Sequence, residues 1–464
     1  MMKKISLGLI TFSLLLVAFS ALATDVAAQP KKVLKKARTL ASDGDKRFNK
    51  RDYQGAIGKY REAISLVPNF PNAHYWKGNA HYYLQQYDES LEELNTAYDQ
   101  GYAPVIDIYR VRWYVNFMKK NYDDALADLR KGLEIDPTDI RLREGLGNVY
   151  YAKESFREAL AAYNDVVERI PNNGNTYYNM AVSYYNLGKA GEQRSAAQNA
   201  INNGTQFMAQ SFILIADSYA KERKFEEAAE AYEKSLNLRQ DIFPVYHNLS
   251  DIYRNMNRFT DAIEVIKKGL RQFPRNGDLY VDLSWYYSLA DMPKEAIGAA
   301  QTAIQFVPDQ YMAYTNLCRA YNDNKEYDKA VSACNNALRL KENDGETYFY
   351  LGRANDFLGK PDVATKHYKK ALDGLLVSTQ NNPDYADGFY LLGNAYYANG
   401  LRDKAIDAYL RCLELSPRFS KARFNLGYMY FLKGDLDSAQ AQYTALLDLD
   451  ADLAGKLKNA MQKK

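Results

Sequence analysis

The chain has little of what catalysis or metal binding usually requires. Four histidines, three cysteines and three tryptophans are scattered over 464 residues, whereas metal or nucleophilic chemistry needs such side chains clustered with carboxylates. No His-Glu-x-x-His segment, Gly-rich phosphate loop, Gly-x-Ser-x-Gly elbow or Cys-x-x-Cys pair occurs. His74 and His81, seven apart, could share a helix face as ligands, or fill a core as packing rings. The expectation is a chain that is not an enzyme, with no catalytic residue, no cofactor and no metal. Proline (13) and glycine (26) are also scarce, and no linker-like stretch divides the sequence, so one continuous architecture is implied. Three cysteines are too few, and odd in number, for a disulfide framework. A strong excess of one charge is missing as well. The formal +3 falls to +1 once Lys3 and Lys4 are removed with residues 1–23, and that net value implies neither nucleic acid nor an anionic membrane as partner.

Long apolar runs are absent except at the start. Met1 to Lys4 supplies a positive end, Ile5 to Phe19 an apolar stretch, and Ala21-Leu22-Ala23 a small-residue cleavage pattern, so residues 1–23 read as an export signal. Val26-Ala27-Ala28 offers a second cleavage site, and an uncleaved membrane anchor is the alternative. The expected location is periplasmic or secreted, with no integral membrane segment after signal removal. Residues 24–36 form a basic lead-in.

What the sequence has in abundance is tyrosine, 40 in all, and a period. A 34-residue ruler with small slips starts repeats at Ala37, Pro71, Ile106, Ile140, Gly174, Ala209, Phe243, Gly277, Tyr311, Gly345, Ala386 and Ser420. The eighth place is small in eleven of the twelve, as in Gly44, Gly147, Cys318 and Gly393; Trp113 is the exception. The twentieth is Ala or Ser in eleven, with Gln193 the exception, and the eleventh is Tyr in eight. Each repeat reads as two amphipathic helices joined by a short polar turn, the small places letting the pair approach and larger residues at places 4, 7, 11 and 24 filling the space between hairpins. Seven extra residues before Pro383, near 372–383, predict two more turns on the helix through Leu372, Leu375 and Leu376. Residues 452–464 read as a final solvating helix. Cys318, Cys334 and Cys412 occupy packing places 8, 24 and 27. All three are expected free and buried; a disulfide between Cys318 and Cys334 within one repeat is the disfavoured alternative, because helices packed 8 to 10 Å apart rarely meet disulfide geometry.

Tyr348 to Gly352, Phe389 to Tyr396 with Ala405 and Tyr409, and Arg423 to Tyr430 follow the W-x2-L-G-x2-Y, A-x3-F pattern. From Ala37 to about Ala451 the chain resembles the tetratricopeptide repeat family. The resemblance implies an all-α, right-handed superhelical solenoid of about twelve helix-turn-helix repeats over 37–451, with a concave face lined by first helices that holds other proteins or peptides. Each hairpin is expected to touch only its neighbours, with no long-range contact closing the fold.

By the same analogy the concave face takes places 2, 5, 6, 9, 12 and 13. Candidate partner-binding residues are then Tyr75, Asn79 and Tyr82 in repeat two; Arg141, Asn148 and Tyr151 in repeat four; and Tyr178 in repeat five. Tyr390, Asn394 and Tyr397 follow in repeat eleven, and Lys421, Phe424, Tyr428 and Phe431 in repeat twelve. Amides can donate to and accept from an extended backbone while tyrosines stack on side chains; the same residues could instead cap turns or pack between helices. The leading reading is a non-catalytic scaffold of the cell envelope that binds proteins or peptides. The alternatives are an accessory subunit of an envelope enzyme and a glycan- or peptidoglycan-binding module.

Overall fold

The computed structural model describes residues 30–462, so the signal reading of residues 1–23 lies outside the described residues. Among the described residues there are twenty-five α-helices and no strand. Ten of the twelve repeat starts coincide with the first residue of a helix, from Pro71 to Ser420. The reason is local: Asp139, Asn173, Asn276 and Asp344 each precede a start and accept a hydrogen bond from a backbone N–H of the first turn. Such caps contribute about 1 kcal/mol each. Place 15, between the helices of a hairpin, has positive φ in every repeat. Glycine fills it at Gly188, Gly359, Gly400 and Gly434, while eight non-glycine residues, among them Arg223 and Asp291, adopt the same turn.

The helices fall into two compact units, one up to Leu187 and the other from Gly188. In both, the first and second helices of a hairpin meet at places 8 and 24. A Cβ added at Gly44 or Gly352 would sit 2.6 or 2.8 Å from the ring of Tyr60 or Tyr368, so glycine at place 8 makes room for tyrosine at place 24. The tyrosine hydroxyl then donates to an Asp or Asn at place 9: Tyr60 to Asp45 (2.8 Å), Tyr163 to Asn148 (2.8 Å) and Tyr409 to Asn394 (2.7 Å). Trp113 is accommodated without leaving the core. Its ring is buried over Gly145 of the next repeat, where a Cβ would approach it to 3.0 Å.

Repeat nine uses the same pair of places differently. Cys318 and Cys334 are joined by a disulfide with Cα atoms 5.2 Å apart, and Cys412 alone is a free, buried thiol. The expectation of three free cysteines is corrected: average helix spacing is the wrong yardstick where small residues bring places 8 and 24 into contact. Burial pushes the Cys412 thiol well above its ordinary range.

In the second unit the helix Pro361–Asn381 runs 21 residues against 14 for its counterpart Arg402–Leu415. Its added turns cross the start of the helix Gly345–Phe357 backbone to backbone: a Cβ on Gly374 would lie 2.7 Å from Gly345 Cα. The last helix, Ala451–Gln462, buries Ala454 and Leu457 against the helix Ser420–Lys433 and exposes its lysines.

Candidate functional site

Charged side chains at concave-face places cross the second unit from one stretch of chain to another far away in sequence. Arg254, on the helix Phe243–Asn255, forms an ion pair with Asp387 at the start of the helix Ala386–Ala398. Both side chains are nearly enclosed, at 11% and 8% exposure. Arg254 also donates through Nε to Asp251 (3.2 Å) and stacks 5.1 Å from the centre of the Trp285 ring. Lys421 reaches Asp291 at 3.1 Å. Arg223 donates to the carbonyls of Glu414 (2.9 Å) and Leu415 (3.0 Å), satisfying acceptors that a helix end leaves without intrahelical partners.

Repeats six to eight are therefore tied to repeats eleven and twelve, and the expectation that no long-range contact closes the fold is corrected. Beside these contacts lies a half-open cavity of about 250 Å3 bordered by Trp285, Arg319, Tyr350, Asp387, Tyr390 and Lys421. Arg319 pairs with Glu346 and lies over the Tyr350 ring at 5.2 Å. A second hollow of about 1010 Å3, beside the extra turns of Pro361–Asn381, shares Glu346, Tyr385 and Leu391 with the first.

The residues singled out in repeats eleven and twelve are largely engaged within this unit. Tyr390 packs on Phe419 with ring centres 5.0 Å apart and borders the cavity. Asn394 accepts from the Tyr409 hydroxyl and, at 2.8 Å, from the Asn425 amide, so it joins two repeats. Lys421 is paired with Asp291. Phe424 and Tyr428 pack beside Leu446, Ala454 and Leu457 under the last helix. Phe431 contacts the Tyr428 ring, and Tyr397 is the one large exposed side chain of the set, at 41%. These seven do not form one open surface.

In the first unit, Tyr75 is buried and stacked on Tyr102 at 4.2 Å, and Asn79 is 1% exposed with its amide donating to the Tyr75 carbonyl at 2.9 Å. Neither is accessible to a partner, because place 5 and place 9 of repeat two are closed over by the following loop and helix. Asn148 accepts from the Tyr163 hydroxyl, a link between the helices of a hairpin. Tyr178 is half-buried, and burial pushes its hydroxyl up to about 12. Tyr82 and Tyr151 are half-buried; Tyr82 meets Tyr114 edge-on, and the Tyr151 hydroxyl accepts from Asn186 at 3.1 Å. Arg141 keeps 57% of its side chain exposed. Ion pairs such as Arg110 with Asp139, Lys119 with Asp88 and Lys153 with Asp123 span about one repeat in this unit; the second unit has such pairs too, as Arg353 with Asp323, and adds the two that span more than a hundred residues.

Protein-family models now bear on this geometry. One described as TPR repeat matches residues 44–85, and others described as Tetratricopeptide repeat match 117–183, 349–418 and 390–454. The chain carries tetratricopeptide repeats. A further model, ChAPs (Chs5p-Arf1p-binding proteins), matches residues 167–350. Among curated relatives, the small glutamine-rich tetratricopeptide repeat-containing protein 2 of Mycosarcoma maydis is 30% identical over 115 residues, covering 24% of this chain and 32% of that protein. The Hsp70-Hsp90 organizing protein of Triticum aestivum is 22% identical over 231 residues, 42% of this chain and 39% of that one. The chain thus spans well under half the length of these relatives. Of solved structures, yeast Tom70 is 14% identical with a TM-score of 0.39, covering 91% of this chain and 99% of that one. A tetratricopeptide repeat protein from Parabacteroides merdae is 11% identical with a TM-score of 0.44, covering 55% and 97%.

Reading mainly aromatic and amide residues off the concave places of these tetratricopeptide repeats, with Arg141 and Lys421 the two charged ones, missed most of the charged set. Asp251, Arg254, Arg319, Glu346, Arg353 and Asp387 occupy places 9, 12, 9, 2, 9 and 2, and listing charges at those places would have found them. The histidines serve packing and pairing. His74 Nδ1 lies 2.6 Å from Glu93, which also accepts from Lys77, and His81 Nδ1 lies 2.8 Å from Gln86. Among the described residues no group of His, Cys, Asp and Glu is placed to hold a metal ion.

His247, at concave place 5 of repeat seven, gives the second unit a pH dependence. Its Nδ1 lies 2.7 Å from Asp282, and this hydrogen bond, aided by Asp251 and opposed by burial and Arg254, pushes the imidazole up to about 9 from an ordinary 6.5. A folded-state value above the unfolded one means that the stabilisation is fully present below about 6.5 and is lost as pH rises through about 9. The denaturation midpoint is expected to fall between those values, and His247→Asn to flatten that fall; an unchanged slope in the variant contradicts the assignment.

Proposed function

We propose that the chain is a non-catalytic scaffold of the cell envelope that holds peptides or partner proteins on the first-helix face of its tetratricopeptide repeats, chiefly in the first unit. The observation that carries this reading is the contrast between the two faces. In the second unit, Arg254 and Asp387 at concave places bind one another, and Lys421 at a concave place binds Asp291 of a distant turn. In the first, Arg141 stands exposed at a concave place and Tyr82 and Tyr151 stand half-buried at two others, with no charged pair crossing between distant repeats over them among the described residues. Tyrosine and arginine are the side chains from which interfaces draw much of their affinity. The names of the Hsp70-Hsp90 organizing protein and of the Chs5p-Arf1p-binding family describe proteins that engage other proteins, which supports a polypeptide partner here.

Two features support the envelope. Residues 1–23 have the make-up of an export signal. The Cys318–Cys334 disulfide suits an oxidising compartment.

The double variant Tyr82→Ala with Tyr151→Ala is expected to weaken a captured polypeptide partner by about 2 kcal/mol or more while circular dichroism stays unchanged. Full-strength binding by the folded variant overturns the first-unit assignment. A captured ligand that resists protease but yields to glycosidase overturns the polypeptide reading.

A further inference from the structure

Every first helix from repeat two onward is 13 or 14 residues long, but that of repeat one, Lys31–Asn49, has 19. The overhang is residues 31–36, and four of its six residues are Lys31, Lys32, Lys35 and Lys36, with Arg38 following. All five cations are exposed. None of them is in an ion pair among the described residues, whereas the next cations along the helix are paired, Lys46 with Asp43 and Arg47 with Asp52. Lys31, Lys35 and Arg38 fall on one side of the helix at spacings of four and three, along a shallow hollow.

The fold does not account for this cluster. The amino end of a helix carries partial positive charge and favours acids, yet the first turn here has none. Four like charges there oppose the helix they sit on. Unlike charges would relieve them, and an anion at that end would also meet the exposed backbone N–H groups. Net charge conceals the feature. Residues 1–38 hold seven cations and one acid of the 60 and 57 in the chain, which leaves residues 39–464 with 53 cations and 56 acids. A basic helix thus projects from an array that is mildly acidic.

We propose that this amino-terminal overhang is a docking surface for an anionic lipid bilayer, its lysines and Arg38 lying among headgroup phosphates. Clusters of four to eight basic residues beside an apolar segment bind anionic bilayers in this way. The apolar run Ile5 to Phe19 ends twelve residues before Lys31 in sequence, so any chain whose run enters a bilayer delivers the overhang to its surface. Val33 and Leu34, on the same overhang and only partly buried, suit the boundary between headgroups and acyl chains and have no counterpart on a nucleic-acid backbone. Its four lysines precede the first repeat, Arg38 alone taking a concave place, and the surface does not depend on the function proposed for the concave face.

The test is flotation of the full chain with vesicles of phosphatidylcholine alone and of phosphatidylcholine with phosphatidylglycerol, at low and high salt. The expected result is about tenfold or more preference for the anionic vesicles at low salt, lost at high salt. The preference is also lost in the variant combining Lys31→Gln, Lys32→Gln, Lys35→Gln and Lys36→Gln, whose helicity is unchanged. Equal, salt-independent binding to both vesicles would mean apolar insertion alone and overturns the proposal. So does a folded quadruple variant that keeps the preference, or tighter binding of duplex oligonucleotide than of anionic vesicles in the same buffer.

Discussion

Arg254→Ala is expected to destabilise the second unit by about 3–5 kcal/mol, because it leaves the enclosed carboxylate of Asp387 charged and unpaired. Burial already pushes that carboxyl above its ordinary value, and Arg254 is the principal group opposing the shift. The loss should be non-local. Hydrogen exchange is expected to rise together over residues 243–255 and 386–398, stretches more than a hundred residues apart, while the first unit keeps its protection. The double variant Arg254→Met with Asp387→Leu should recover much of the stability, since replacing both partners by apolar groups removes the unpaired charge. If exchange rises only around repeat seven, the pair does not couple the distant repeats.

Reducing the Cys318–Cys334 disulfide is expected to cost about 3 kcal/mol, the scale for a loop near fifteen residues; the two cysteines are 16 apart in sequence. The effect should appear as a lowered denaturation midpoint with reductant present, absent in Cys318→Ala with Cys334→Ala. Thiol titration of the denatured, unreduced chain should count one thiol, that of Cys412. A count of three would show the bond is not formed.

Much of the fold was legible because each repeat is a local event. The Asp or Asn before a start, the small residue at place 8 and the turn at place 15 all act within one hairpin, so Asp344 and Gly352 announce a helix and its partner in any single copy. Trp113 was legible only as an anomaly, because the glycine that accommodates it, Gly145, lies in the next repeat. The disulfide was disfavoured although both places were known, since closeness at places 8 and 24 follows from how far small residues draw two helices together.

The site was less legible, for a different reason. Period and place assign Arg254 and Asp387 to the concave side, but whether they meet depends on small rotations accumulated over four repeats, which no local pattern encodes. Asn148 and Asn394 show the converse limit. An amide at a concave place is equally suited to a peptide backbone or to a neighbouring tyrosine, and in both cases a tyrosine hydroxyl is the donor it accepts from.

The central claim is that partners are held on the first-helix face of the first unit while the corresponding face of the second is occupied by the chain itself. A photo-crosslinking side chain placed at position 151, and separately at position 285, tests it in cells. The account predicts a protease-sensitive adduct with another polypeptide from position 151 and only crosslinks within the chain from position 285, where Trp285 borders the cavity and stacks under Arg254. Partner adducts from position 285 and none from position 151 would contradict it.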